Sequence, residues 1–174
     1  MSCFNLTQGI AADCATSLGG IKKVYFMSND VTYGLGTTVD ADKVDSITGA
    51  TAENTFVFNF RKNTGSMTST VTTVEGGGSY ISTEVALQFS KMEAQKRMAI
   101  NGLLKSQVKA VVVDSNGIAW ALGYDEPLEA TAGGGATGQN KSDLNNYNIT
   151  MTDESMDFPR VLTAAALAEL EALE

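Results

Sequence analysis

The chain has no histidine, two cysteines, two prolines and one tryptophan among its 174 residues. Without histidine it lacks the usual general base at neutral pH and the commonest nitrogen ligand for metals. Cys3 and Cys14 cannot complete a structural zinc site of the usual kind by themselves. They could pair as a disulfide. The first twenty residues, however, show no basic start and no continuous apolar core, so no secretory leader is expected and the thiols are read as reduced. On the same ground the acceptor patterns at Asn5, Asn140 and Asn148 are read as chance. No run approaches the eighteen apolar residues of a helical membrane span, so no membrane insertion is expected. Positive charge is also scarce in one part of the chain. Residues 110–174 hold eleven acids against Lys141 and Arg160, a sum of −9, whereas residues 1–109 sum to +1.

What is present favours strands and turns: seventeen glycines and many threonines in a chain long enough for one domain burying roughly 70% of its unfolded surface. The most informative stretch runs from Ser79 to Tyr124. In Tyr80–Phe89, Ile81, Thr83, Val85, Leu87 and Phe89 share one parity, and Ser82, Glu84 and Gln88 take the other, which predicts a half-buried strand. Ser90 and Glu93 have capping-box spacing, and Met92, Met98, Ile100, Leu103 and Leu104 then supply the apolar positions of a helix ending near Ser106. Val108–Val113 is a β-branched run, and Asp114-Ser-Asn-Gly117 carries the Asn-Gly signal of a hairpin. The returning strand has Ile118, Trp120, Leu122 and Tyr124 at one parity. The expected arrangement is a helix laid across a small antiparallel sheet.

Elsewhere, residues 1–18 read as an N-terminal arm without period, and Ile21–Phe26 as a strand. Residues 28–54 are turn-rich, with a short strand around Lys43–Ile47. Thr55–Arg61 is a strand with Phe56, Phe58 and Phe60 on one face. Residues 61–78 are strand-prone but polar on both faces and flanked by Asn63-Thr-Gly65 and Gly76-Gly-Gly78, which predicts a protruding β arm that uses a partner. After the break at Asp125-Glu-Pro127, Leu128–Thr131 reads as a short strand, residues 132–142 as a flexible loop, Asn145–Thr152 as a strand with Tyr147, Ile149 and Met151 on one face, and residues 159–174 as a helical tail with Leu167 and Leu170 on one side.

Several chemistries fail on spacing. Asp40, Asp42 and Asp45 suggest a calcium loop, but the sixth place holds Asp45 instead of glycine and the twelfth holds Thr51. Gly133 and Gly138 have phosphate-loop spacing, but Gln139 and Asn140 stand before Lys141. The acid pairs Asp125-Glu126 and Asp153-Glu154 lie in no cleft-forming motif and are read as solvated surface. No nucleophile motif is found, a pI near 4.5 disfavours phosphate binding, and no cofactor is expected. The residues alone describe an acidic, non-enzymatic antiparallel β protein.

The order of elements resembles the tail tube proteins of tailed bacteriophages: a polar β arm (Arg61–Glu75), a strand running into a helix (Tyr80–Leu104) and a hairpin behind it (Val108–Tyr124). Gly19–Tyr25, Phe89–Glu93 and Asp114–Gly123 also look like segments of small phage virion proteins. The likeness spans most of residues 19–152 and leaves out the C-terminal tail. It implies a mainly β fold, a single antiparallel sandwich or barrel with one central helix, whose copies form hexameric rings stacked into a tube in the virion tail. The implied partners are other copies, other tail proteins and DNA passing without specific binding, all after synthesis in the host cytoplasm. Candidate contacts between subunits are Arg61, Lys62, Thr68, Thr70 and Thr72 on the arm and Lys91, Lys96, Arg97, Lys105 and Lys109 on and after the helix. Candidates for the acidic surface or lumen are Asp114, Asp125, Glu126, Glu129 and Asp143. Two other readings stay open: a capsid decoration or tail terminator protein, and a soluble adhesin-like or ligand-binding β domain.

Overall fold

The structure is a computed structural model that describes residues 9–10, 16–37, 41–59 and 61–174. Cys3, Cys14, Asp40, Phe60 and most of the N-terminal arm lie outside the described residues. In chain order the elements are β1 (Ile21–Ser28), β2 (Thr32–Leu35), β3 (Val44–Thr48), β4 (Thr55–Asn59), β5 (Gly65–Thr73), β6 (Ser79–Ser90), α1 (Ala94–Leu103), β7 (Val108–Asp114), β8 (Ala119–Leu122), β9 (Glu129–Ala136), β10 (Asn146–Ser155), β11 (Arg160–Val161) and α2 (Ala164–Glu171). They build a mainly β sandwich of two antiparallel sheets, ordered β11-β8-β7-β1-β4 and β5-β6-β10-β9, with β2 and β3 as a separate pair.

Burial explains the difference between the two sheets. In β7, five of the residues from Val108 to Val113 are buried, because both faces of its sheet are covered. One face, with Val24, Phe26, Ala110, Val112 and Leu122, packs on Val85, Leu87, Phe89, Ile149 and Met151 of the other sheet. Phe58 joins this core edge-on to Phe26, with ring centroids 5.1 Å apart. The opposite face, with Tyr25, Met27, Val111, Val113 and Ala121, is covered by Tyr33, Val44 and Ile47 of the β2–β3 pair and by Ala166 and Leu170 of α2. The Thr163 hydroxyl caps α2 by accepting from the Ala166 N–H, and the Glu174 carboxylate accepts from Lys23 Nζ and the Tyr25 hydroxyl, both at 2.7 Å. No described element covers the outer face of the four-stranded sheet, so β6 keeps the alternation of a strand buried on one side.

Several expectations need correction. β6 and β7 belong to different sheets, so α1 is the crossover between them and not a helix on a shared sheet. Ser90 ends β6, Lys91 takes a left-handed φ of 67°, and Glu93 is the helix N-cap, with no side-chain cap. The chain reverses before the helix starts, which puts Ser90 out of capping position. Of the expected apolar positions only Ile100 and Leu103 are buried; Met98 is 71% exposed. Residues 61–78 do not protrude as an arm: β5 pairs with β6 from Gly65↔Leu87 to Thr73↔Ser79, and Ser69 and Thr83 share a 2.8 Å hydroxyl hydrogen bond. Its polarity on both faces was misleading because Met67 and Ser69 are small contributors to the core side. β2, in the segment read as turn-rich, was not anticipated.

The expected loop at 132–142 is strand as far as Ala136. Its glycines sit beneath side chains of the α1 region. A Cβ at Gly135 would lie 2.9 Å from Met92 Cε and from the Tyr147 ring, and one at Gly133 would lie 3.0 Å from Leu104 Cδ2. Glycine is used here for close approach, which composition alone reads as flexibility. Tyr124 leaves the face of Trp120 and Leu122, because Gly123 has φ 80° and turns the chain. Its ring stacks on Tyr33 in the outer core.

Candidate functional site

The four-stranded sheet offers one broad face that no other described element covers. Cross-strand register sets its composition: Thr68↔Glu84↔Thr152, Thr70↔Ser82↔Glu154 and Ser66↔Ala86↔Thr150 run across it, and Gln88 pairs with Asn148. Thr131 of β9 shares a 2.9 Å hydroxyl contact with Thr152. The four strands contain no lysine or arginine, and Glu84 and Glu154 bring negative charge to the face. Short hydroxyl and amide side chains with a few acids make a surface that repels a polyanion and presents little apolar area for adhesion.

The predicted contact residues divide into groups. Thr68, Thr70 and Thr72 project on this face, while Arg61 and Lys62 are exposed on the β4–β5 turn. The basic set is not one patch. Lys91 is paired with Glu93, and Lys96 donates to the carbonyls of Ser90 and Lys91 and lies 3.8 Å from the same Glu93. Lys109 is separate: it lies in β7 on the far side of the sheet, with Nζ 5.4 Å from the centre of the Tyr33 ring, and burial lowers its pKa. Arg97 and Lys105 are exposed.

The predicted acids divide in the same way. Asp114 builds the β7–β8 turn, its Oδ1 accepting from the N–H groups of Asn116 and Ile118 at 2.8 and 2.9 Å. Asp143 staples the 138–143 loop through the N–H groups of Asn140 and Gln139, which hold its carboxyl below the usual range. Both are accounted for by local structure. Asp125 accepts from Met156 N, Glu129 from Gln107 Nε2, and Glu126 is exposed. Glu129 pairs with Thr152 and so lies on the uncovered face, together with Glu84 and Glu154, which were not among the lumen candidates although Glu154 was read as solvated surface. The signal was available in the polar parity of β6 and β10.

In contrast to the surface role expected for it, Asp153 is 2% exposed. It continues the inward parity of Tyr147, Ile149 and Met151, and β10 runs three residues beyond the expected end. Burial, the foremost cause, pushes its pKa up to about 6; the Gly123 N–H opposes this, while Asp125, Glu126 and Glu154 add to it. Its Oδ1 has no hydrogen-bond partner among the described residues. Asp42 and Asp45 of the rejected calcium loop are engaged elsewhere, with Arg160 and Thr163. No group of three metal-ligating side chains occurs among the described residues.

No family model, curated protein or solved structure matches this chain. The site is therefore read from its own chemistry. Apart from the open sheet face, an apolar groove of about 550 Å³ lies between β4 and α1 and is lined by Phe56, Phe58, Met98 and Leu103, among others.

Proposed function

We propose that the chain is a self-assembling structural subunit of a virion tail tube, with the uncovered face of the four-stranded sheet turned to the lumen. The observation that carries this reading is the absence of any lysine or arginine from all four strands of that sheet. A wall that conducts DNA must not hold phosphate, and hydroxyls, amides and a few carboxylates meet that requirement. The resemblance in element order supports the same reading. On this account the protein does no chemistry and its product is an assembly.

Light scattering with negative-stain microscopy of the purified protein tests the proposal: rings or tubes are expected, and a monomer at high concentration refutes it. Thr150→Cys adds the orientation, since a lumenal thiol is shielded from bulky maleimides in the tube but open to small ones. Equal reaction with both in assembled tubes refutes the lumenal assignment. The apolar groove between β4 and α1 favours a second reading, a ligand-binding β domain. A persistent monomer that binds an apolar dye, and loses it on Phe56→Glu, supports that one instead.

A further inference from the structure

β1 and β7 lie side by side and antiparallel, and the two ends of this pair carry opposite charge. At one end a cleft of about 480 Å³ lies between Gly19-Gly20, at the start of β1, and Ser115, just past the end of β7; Lys22 and Lys62 line it. Arg61 precedes Lys62 on the same turn, and none of these three cations makes an ion pair among the described residues. The cleft is firmly built. Asn116 Oδ1 accepts from Leu18 N at 2.8 Å, Asn116 Nδ2 donates to Leu18 O at 2.9 Å, and Ser115 N donates to Gly20 O. The Thr64 hydroxyl donates to Arg61 O at 2.6 Å and fixes the turn that carries the other two bases.

At the other end, just past β1 at Asn29 and just before β7 at Gln107, a cleft of about 550 Å³ is lined by Glu126, Glu129 and Glu154. Glu126 and Glu154 make no ion pair among the described residues. This end is anchored as well, by the paired hydrogen bonds between Val108 and Leu128. Eight strand residues, about 26 Å, separate the two clefts. That distance exceeds the screening length of about 8 Å at physiological salt, so within one chain the two charges cannot satisfy each other.

We propose that the Lys22–Arg61–Lys62 cleft receives the Glu126–Glu129–Glu154 end of a second copy, so that subunits associate head to tail along the β1–β7 direction. Different surfaces at opposite ends of one subunit make a heterologous contact, which extends an assembly axially when its operator runs along the β1–β7 direction and does not close. The inference deepens the tube reading and rests on it for its setting: it supplies the contact between successive rings. The contact replaces the one expected from the helix bases, two of which are held by Glu93.

The test uses two exposed charge reversals, Arg61→Glu with Lys62→Glu, and Glu126→Lys with Glu129→Lys. Circular dichroism and thermal melts of each verify the fold. By sedimentation velocity, the unaltered chain is expected to form long species in low salt that shorten as salt rises. Each reversal alone loses them, and an equimolar mixture regains them, because the altered basic end of one variant now complements the altered acidic end of the other. An unaltered chain that stays monomeric in low salt, reversals that associate as before, or folded variants whose mixture fails to associate each overturn the inference. Tubes that form regardless of the reversals overturn it and leave the tube reading intact. Salt-sensitive open chains without tubes support it and refute the tube.

Discussion

Replacing Asp153 by asparagine isolates the energetics of the one carboxyl that is buried among the described residues. Its pKa is raised from the ordinary 3.8 to about 6, chiefly by burial, so the fold favours the protonated form. The stabilisation tied to that proton is complete below the unfolded pKa and is lost as pH rises through about 6. At pH 7.5 the ionised group costs the fold about 3 kcal/mol, from roughly two pKa units at about 1.4 kcal/mol each. Asp153→Asn keeps the shape and removes the charge. Its amide brings N–H donors into a site where one oxygen already lacks a partner, which takes back about 1 kcal/mol. The variant is therefore expected to exceed the unaltered protein by about 2 kcal/mol at pH 7.5 and to fall slightly below it at pH 4. Urea unfolding of both proteins at pH 4, 5, 6 and 7.5, at concentrations where the chain is monomeric, measures the difference. Glu93, Asp143 and Glu174 have lowered pKa values and stabilise the fold as pH rises, but they act equally in both proteins and cancel. Parallel pH profiles for the two proteins would falsify the assignment of a neutral, buried Asp153.

Four further outcomes follow from packing. Leu103→Ala removes a side chain that is 6% exposed in the inter-sheet core and should cost about 2–5 kcal/mol in denaturant melts; a loss under about 0.5 kcal/mol would mean the helix does not pack there. Ser69→Ala strands the fully buried Thr83 hydroxyl and should cost about 1–3 kcal/mol, whereas Thr70→Ala on the open face should change stability by less than about 0.5 kcal/mol. Equal costs at the two positions would show that β5 does not dock as described. Gly123→Ala forces a side chain into φ 80° with its Cβ 3.1 Å from Leu128 Cδ1, so a loss of at least about 1–2 kcal/mol is expected, and a neutral result would contradict the turn.

The sequence was most informative where one residue type has one physical use. The Asn-Gly turn after β7 reads directly, because Gly117 takes φ 87° and Asp114 binds the backbone around it. The parities of β6 and β10 also read correctly, since each is buried on a single face. The start of β9 reads as the short strand expected at Leu128–Thr131, but its Ala132–Ala136 half was lost because glycine signals both flexibility and close packing, and only the positions of Met92, Leu104 and Tyr147 decide between them. Asp153 was misread for a related reason: an acid in a run of acids looks solvated until the inward parity of β10 is carried two residues past Met151. Which of the cations are already paired is a matter of tertiary geometry, and charge totals do not contain it. Glu93 holds two of the helix bases, while Lys22, Arg61 and Lys62 come from distant segments joined only by the pairing of β1 with β4.

The position of β1 bears on how the chain is made. It lies inside its sheet between β4 and β7 with buried residues on both faces, and its partner β7 lies 80 to 93 residues later, from Ser28 opposite Val108 to Ile21 opposite Asp114. At synthesis rates of about 5–20 residues per second, a nascent β1 waits roughly 4–19 s for that partner. The layer formed by α2 over the outer face of the sheet arrives only after residue 171 has been added. Until β7 is made Ile21–Ser28 keeps one edge unpaired, and until α2 arrives the outer face of both strands lies open, so productive folding depends on protecting the growing chain from others like it.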